Sequence, residues 1–163
     1  MVILGIDPAL TQTGWGIISS YKNILSFIAC GTIKTDSKQS LDVRLHHIYK
    51  SISEVIALYK PDEVAIEETF VNTNAVSSLK LGHARGVLML SAAVAGLKIS
   101  EYASTSIKKT VVGVGRAEKN QVGVMIKYLL PKAVVKNEDE ADALAVAICH
   151  NNFRVNYCVK TTI

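Results

Sequence analysis

The chain has 163 residues, 49% of them apolar and 20% charged, with a formal net charge of +4. That balance suits one domain with a real hydrophobic core and excludes a chain that is mainly disordered or fibrous. The longest apolar run, Val87 to Leu97, is interrupted by Ser91 and Gly96 and is too short to span a bilayer, so no membrane partner is expected.

Val2 to Asp7, VILGID, is a short run rich in branched residues that Pro8 stops, and it predicts the first strand. Gly14 to Ile18 and Ile24 to Thr35 follow as strands, linked through Thr11-Gln12-Thr13 and Tyr21-Lys22-Asn23, which are short enough for antiparallel hairpins. Then the period changes. Leu41 to Lys60 places Leu45, Ile48, Ile52, Val55, Ile56 and Tyr59 on one helical face and ends at Pro61. Val64 to Glu68 predicts a fourth strand, Asn74 to Leu97 a long helix, and Ile99 to Tyr102 a short fifth strand, with Ser104 as cap of the next helix. A loop at Val112 to Gly115 precedes a helix from Ala117 to Leu130, and the last helix runs from Glu138 to about Asn152. A meander followed by strand and helix alternation predicts an α/β fold. Its mixed five-stranded sheet has three antiparallel strands then parallel ones, flanked by helices on both faces. The expected organisation is a single domain over residues 1–152 and a tail of unassigned order over 153–163. With no basic leader before the first strand, the expected location is cytoplasmic. Cys30, Cys149 and Cys158 lack the spacing of a zinc site or a disulfide framework.

Four acids stand out from this pattern. Asp7 ends the first strand and Glu67 lies at the end of the fourth, where a carboxylate on a central strand needs a reason. Asn137 to His150 reads NEDEADALAVAICH. Asn137 and Glu140 fit a capping box, and the helix dipole favours acids in the first turn. Asp142 lies beyond that turn, beside the core-facing Ala141, Leu144, Ala145 and Ile148. Asp139 and Asp142 are three apart, so their Cβ atoms lie roughly 5–6 Å from one another, close enough to repel. A divalent cation would convert that repulsion into attraction. Asp7, Glu67, Asp139 and Asp142 together suit two ions in a phosphoryl displacement, and oxygen-only ligands favour Mg²⁺ or Mn²⁺ over zinc.

The charge is also uneven. Lys98 to Lys136 carries eight bases against two acids, which a solvated surface or a polyanion cradle beside the acids would both show; in a cradle, Lys108, Arg116 and Lys119 are the bases expected to meet phosphate. The helical histidines His46, His47 and His83 show no ligand spacing, and Gly113-Val114-Gly115 lacks a phosphate-binding lysine and serine.

ILGIDPALTQTGWG, VAIEETF, LKLGHARG, TVVGVGRAEKNQV and EDEADALAVAI, in this order over about residues 1 to 150, resemble the motifs of the RuvC family of Holliday-junction resolvases. The resemblance implies a ribonuclease H-like fold and a homodimeric, Mg²⁺-dependent endonuclease, with two ions per site and Mn²⁺ able to substitute. Its substrate would be four-way junction DNA, cut symmetrically in recombination and repair. It also suggests contact with a branch-migration complex. Carried over by motif, the metal ligands are Asp7, Glu67, Asp139 and Asp142; Phe70 stacks on bases at the crossover, and Lys108 and Lys119 meet the DNA. Ala9 departs from the glycine usual after the proline of GIDP, which bears on the first hairpin. Competing expectations are another ribonuclease H-like nuclease, such as one that processes ribosomal RNA precursors, and a module that binds branched DNA without cutting it. Symmetric cutting needs two sites related by a two-fold axis, and the long helix, apolar on more than one side, is the expected dimer face.

Overall fold

A computed structural model describes residues 1–22, 24–68, 75–115 and 119–160, without the side chains of residues 119–120 and 155–160. The strands are β1 (Val2–Asp7), β2 (Gln12–Tyr21), β3 (Ile24–Lys34), β4 (Glu63–Glu67) and β5 (Lys98–Tyr102). The helices are α1 (Leu41–Tyr59), α2 (Ala75–Val94), α3 (Ser104–Val112), α4 (Lys119–Leu129) and α5 (Glu138–Lys160). The strands form one sheet in the order β3-β2-β1-β4-β5. β1 pairs antiparallel with β2 and β2 with β3, while β1, β4 and β5 run parallel, as the pattern predicts.

The period of two along each strand sorts the core into two layers. Leu4, Ile6, Ile17, Val64 and Ile66 point to one face and pack against Ile48 and Ile52 of α1 and Ala84 and Leu88 of α2. Ile3, Ile18 and Ala65 point to the other and pack against α3, α4 and α5, whose Leu144 and Ile148 are buried. α5 is apolar almost all round from Ala141 to Cys149 because it is covered by both sheet and helices.

That helix lies unusually close to the sheet. A Cβ at Gly5 would collide with the main-chain carbonyl of Ala143, and one at Gly14 with the main-chain carbonyl of Asp139. Neither glycine has a positive φ, so the missing side chain, and not backbone freedom, is what these positions require.

The structure departs from expectation at several ends. β2 begins at Gln12, so two of the three expected linker residues belong to the strand, with Gln12 opposite Lys34. Ala103 takes the cap position of α3 and Ser104 is its first helical residue, freeing the hydroxyl for another partner. α5 continues through the expected tail to Lys160. Its added turns have anchors that no periodicity announces: the Phe153 ring lies 5.4 Å from that of Tyr102, and Arg154 Nε donates to Glu63 Oε1 at 2.9 Å. Ala9, the residue in place of a glycine, has no positive φ, so the first hairpin accepts it without strain.

Candidate active site

Two acids are placed by the sheet. Asp7 ends β1 on the face of Ile3 and Gly5, the face that α5 covers. Gly5 pairs with Ala65 and Ile6 with Ile66, so the next residues along these parallel strands are Asp7 and Glu67. Both are half-buried. Burial pushes the Glu67 carboxyl above its usual range; a hydrogen bond with Ser104 opposes this, the negative charge of Asp142 adds to it, and the positive charge of Lys108 counters it. Those causes locate three groups, Ser104, Asp142 and Lys108, around one carboxylate.

The other two acids are placed by the start of α5. Asn137 caps the helix, its Oδ1 accepting the Glu140 N–H at 3.0 Å, and its Nδ2 donates to Thr32 Oγ1 of β3 at 2.9 Å. Glu140 does not close the expected capping box on Asn137; its carboxylate accepts the Lys136 N–H at 2.7 Å and the Cys30 thiol at 3.5 Å. Burial, then the nearby Glu140 charge, pushes that thiol up to about 12, which leaves it unreactive. Glu140 is thereby committed to structure. Asp139 sits with its main chain over Gly14, the cross-strand partner of Asp7, and its carboxylate accepts a hydrogen bond from Gln12 Nε2. Asp142, almost one turn on, reaches the field of Glu67.

The structure therefore brings the four predicted acids to one end of the sheet, two from adjacent strand ends and two from the helix laid over them. Their donor atoms are all carboxylate oxygens, and like charges are held near one another in partly buried surroundings, an arrangement that a hard divalent cation fits. Among the described residues no three Asp, Glu, His or Cys side chains already form a cage.

Of the expected DNA contacts, Lys108 lies one turn after Ser104 on α3 with its charge acting on Glu67. The Lys119 main chain opens α4, while its side chain, Arg116 and Phe70 lie outside what is described. Lys127 and Lys136 line a cavity of about 290 Å³ between α4 and α5 that Asp142 also borders, which sets part of the basic segment beside the acids.

Sequence reasoning missed three groups here. Gln12 was expected in a linker and Ser104 in a cap. His150 is the third: its Nε2 meets Glu63 Oε2 at 2.7 Å and its Nδ1 meets the Tyr102 hydroxyl at 2.8 Å. Burial holds His150 below its usual pKa. Burial also works against the Glu63 charge, but the His150 hydrogen bond and the Arg154 charge outweigh it and hold that carboxyl low. A histidine inside an apolar helix, seven residues from Ala143, was the available signal.

A family model described as crossover junction endodeoxyribonuclease RuvC matches residues 3–150. The chain belongs to the RuvC family. A family member from Rhizobium leguminosarum bv. trifolii is 53% identical over 152 residues, covering 93% of this chain and 90% of the relative. A member from Rhizobium etli is 51% identical over 161 residues, covering 99% and 95%. Among solved structures, Thermus thermophilus RuvC in complex with Holliday junction substrate superposes with a TM-score of 0.87 at 29% identity, over 94% of each chain. The fold is ribonuclease H-like, as the motifs imply.

The raised pKa of Glu67 has a signed consequence. As pH climbs past the ordinary value of 4.5, an unfolded chain ionises while the folded one still holds the proton, so cation-free protein loses stability until the folded group ionises as well. Glu67→Gln removes that loss. Calorimetry in chelator is expected to show a higher melting temperature for the variant near neutral pH, and no gain below the carboxylate range.

Proposed function

We propose that this chain is a divalent-cation-dependent endonuclease that resolves four-way DNA junctions by paired phosphodiester hydrolysis. The observation that carries the reading is the meeting of Glu67, Asp142 and Lys108 at the strand ends, in a member of the RuvC family. Asp7, Glu67, Asp139 and Asp142 hold Mg²⁺, two ions per site, with Mn²⁺ able to substitute. When bound, such ions polarise the scissile phosphate and stabilise the attacking and leaving oxygens of an in-line displacement. The chain's own groups do the rest. Ser104 donates to Glu67 and holds its orientation. Lys108, with Arg116 and Lys119, offsets phosphate charge and sets the register of the strand, and Phe70 stacks on bases at the crossover. Residues 1–152 form the nuclease unit, with the last turns of α5 packed onto it through Phe153 and Arg154, and it acts in the cytoplasm beside a branch-migration complex.

Paired cutting requires two sites related by symmetry. α2 supplies a face for this: Val76, Leu79, Leu90 and Val94 are exposed. An apolar groove of about 650 Å³ runs past Gly82, Gly86 and Val87 to Leu45 of α1. A second copy of the chain is the occupant that symmetric cutting calls for. Sedimentation equilibrium at micromolar protein is expected to give a dimer that Leu79→Asp splits; a wild-type chain that stays monomeric with and without junction yet makes paired cuts contradicts the assembly.

The activity is tested with Asp142→Asn on synthetic four-way junctions, duplex DNA and structured RNA in Mg²⁺. Loss of a ligand charge should lower junction cleavage by a factor of about a hundred or more while binding is kept, because phosphate contacts position and the acids act on the reaction. Wild-type cleavage by the variant would remove the four-acid site, and cleavage of RNA in place of junctions would favour a different nuclease of this fold.

A further inference from the structure

We infer that Gln12 is a positioning residue that fixes the Asp139 carboxylate for a cation, a role that rests on the metal-dependent reading above. Gln12 and Gly14 lie two residues apart on β2 and so share the face that α5 covers. Gly14 receives the Asp139 main chain against its bare Cα, and Gln12 Nε2 donates to Asp139 Oδ2. One strand thus fixes both the backbone and the side chain of this acid. Gly14 is also the cross-strand partner of Asp7, so the same two strands set the spacing between the two carboxylates.

The chemistry of the donor suits the task. An ionised carboxylate offers about four lone-pair sites, and one amide hydrogen bond on Oδ2 leaves Oδ1 and the second lone pair of Oδ2 open. The amide is neutral, so the formal charge that attracts a cation is retained. It also orients a positive dipole end at Asp139, which lies three residues from Asp142 on the same helix, and so offsets part of their repulsion in the cation-free protein. Without that bond Asp139 is free to rotate about χ1 away from Asp142, and binding an ion must then also supply the ordering of the side chain.

The test uses Gln12→Met, which keeps length and packing but has no donor, with Gln12→Ala and Asp139→Asn alongside. Mn²⁺ binding to the full chain is followed by electron paramagnetic resonance in the absence of DNA. Partners of this kind set metal affinity by roughly 10–100-fold, so Gln12→Met and Gln12→Ala are each expected to raise the Mn²⁺ dissociation constant at least about tenfold. Their melting temperatures in chelator should fall slightly, because the amide no longer offsets the repulsion between Asp139 and Asp142, while the transition stays cooperative. The Mg²⁺ concentration for half-maximal junction cleavage should rise in parallel, with the rate at saturating Mg²⁺ largely restored. An unchanged dissociation constant in Gln12→Met, while Asp139→Asn weakens binding, overturns the role of Gln12 and leaves the metal site standing. Tighter binding in Gln12→Met overturns it in the opposite sense, marking Gln12 as a competitor for Asp139. A wild-type chain that binds no Mn²⁺ overturns the metal-dependent reading and this inference with it.

Discussion

The close approach of α5 to β1 and β2 is the constraint on which the rest depends. Gly5 and Gly14 have no side chain where Ala143 and Asp139 press their main-chain carbonyls toward the sheet. Any larger residue at either position moves the helix outward, and a Cβ displaced against backbone cannot be relieved by a rotamer change. With the helix seated, its first two turns carry Asp139 and Asp142 over the carboxyl ends of β1 and β4. Open α/β sheets place their chemistry at such strand ends because strands stop there and leave the pleat uncovered. Here α5 roofs one side of that opening and α3 brings Ser104 and Lys108 to another.

Assembling carboxylates in this way works against folding. Half-buried like charges repel more strongly than they do in water, and the upward push on Glu67 from burial and from Asp142 is the visible sign. The structure offsets the strain locally, with Gln12 on Asp139, and Ser104 and Lys108 at Glu67. At the opposite end of β4 the same problem is solved differently. Glu63 is buried on the same strand face four residues earlier, but His150 and Arg154 surround it, so it is a closed ion pair that ties α5 to the sheet. Two glutamates on one strand thus have separate fates: Glu63 is neutralised by side chains, and Glu67 is left facing other acids.

Much of this was legible from residues alone, and the reasons are local. The meander and the parallel strands follow from period-two runs bounded by Pro8, Pro61 and short polar links; Asp7, Glu67 and Asp142 were visible because an acid on a central strand or beside an apolar helical stripe needs a reason, and Asp139, in a first turn where acids are common, stood out only through its spacing from Asp142. Asn137 announced the start of α5 and caps it as expected. What escaped depended on contacts between distant parts of the chain. Gln12 looks like a linker residue until β3 is known to extend to Lys34 and pair with it. Ser104 resembles a cap because its neighbour Glu67 is 37 positions away in sequence. The end of α5 has no apolar period, and its turns persist through Phe153 on Tyr102 and Arg154 on Glu63. Even the glycines were ambiguous, since GIDP and TGWG are as suited to turns as to close packing until the partner helix is in place.

The central claim is that α5 and the strand ends make one cation site from Asp7, Glu67, Asp139 and Asp142. Anomalous diffraction from crystals grown with Mn²⁺ tests it most directly, because it locates the ions without reference to activity. The account predicts anomalous peaks in direct coordination with carboxylate oxygens of Asp7, Glu67 and Asp142, with Asp139 coordinated while still holding the Gln12 amide. Mn²⁺ peaks elsewhere on the molecule, with these four carboxylates bound only to one another and to solvent, would contradict it.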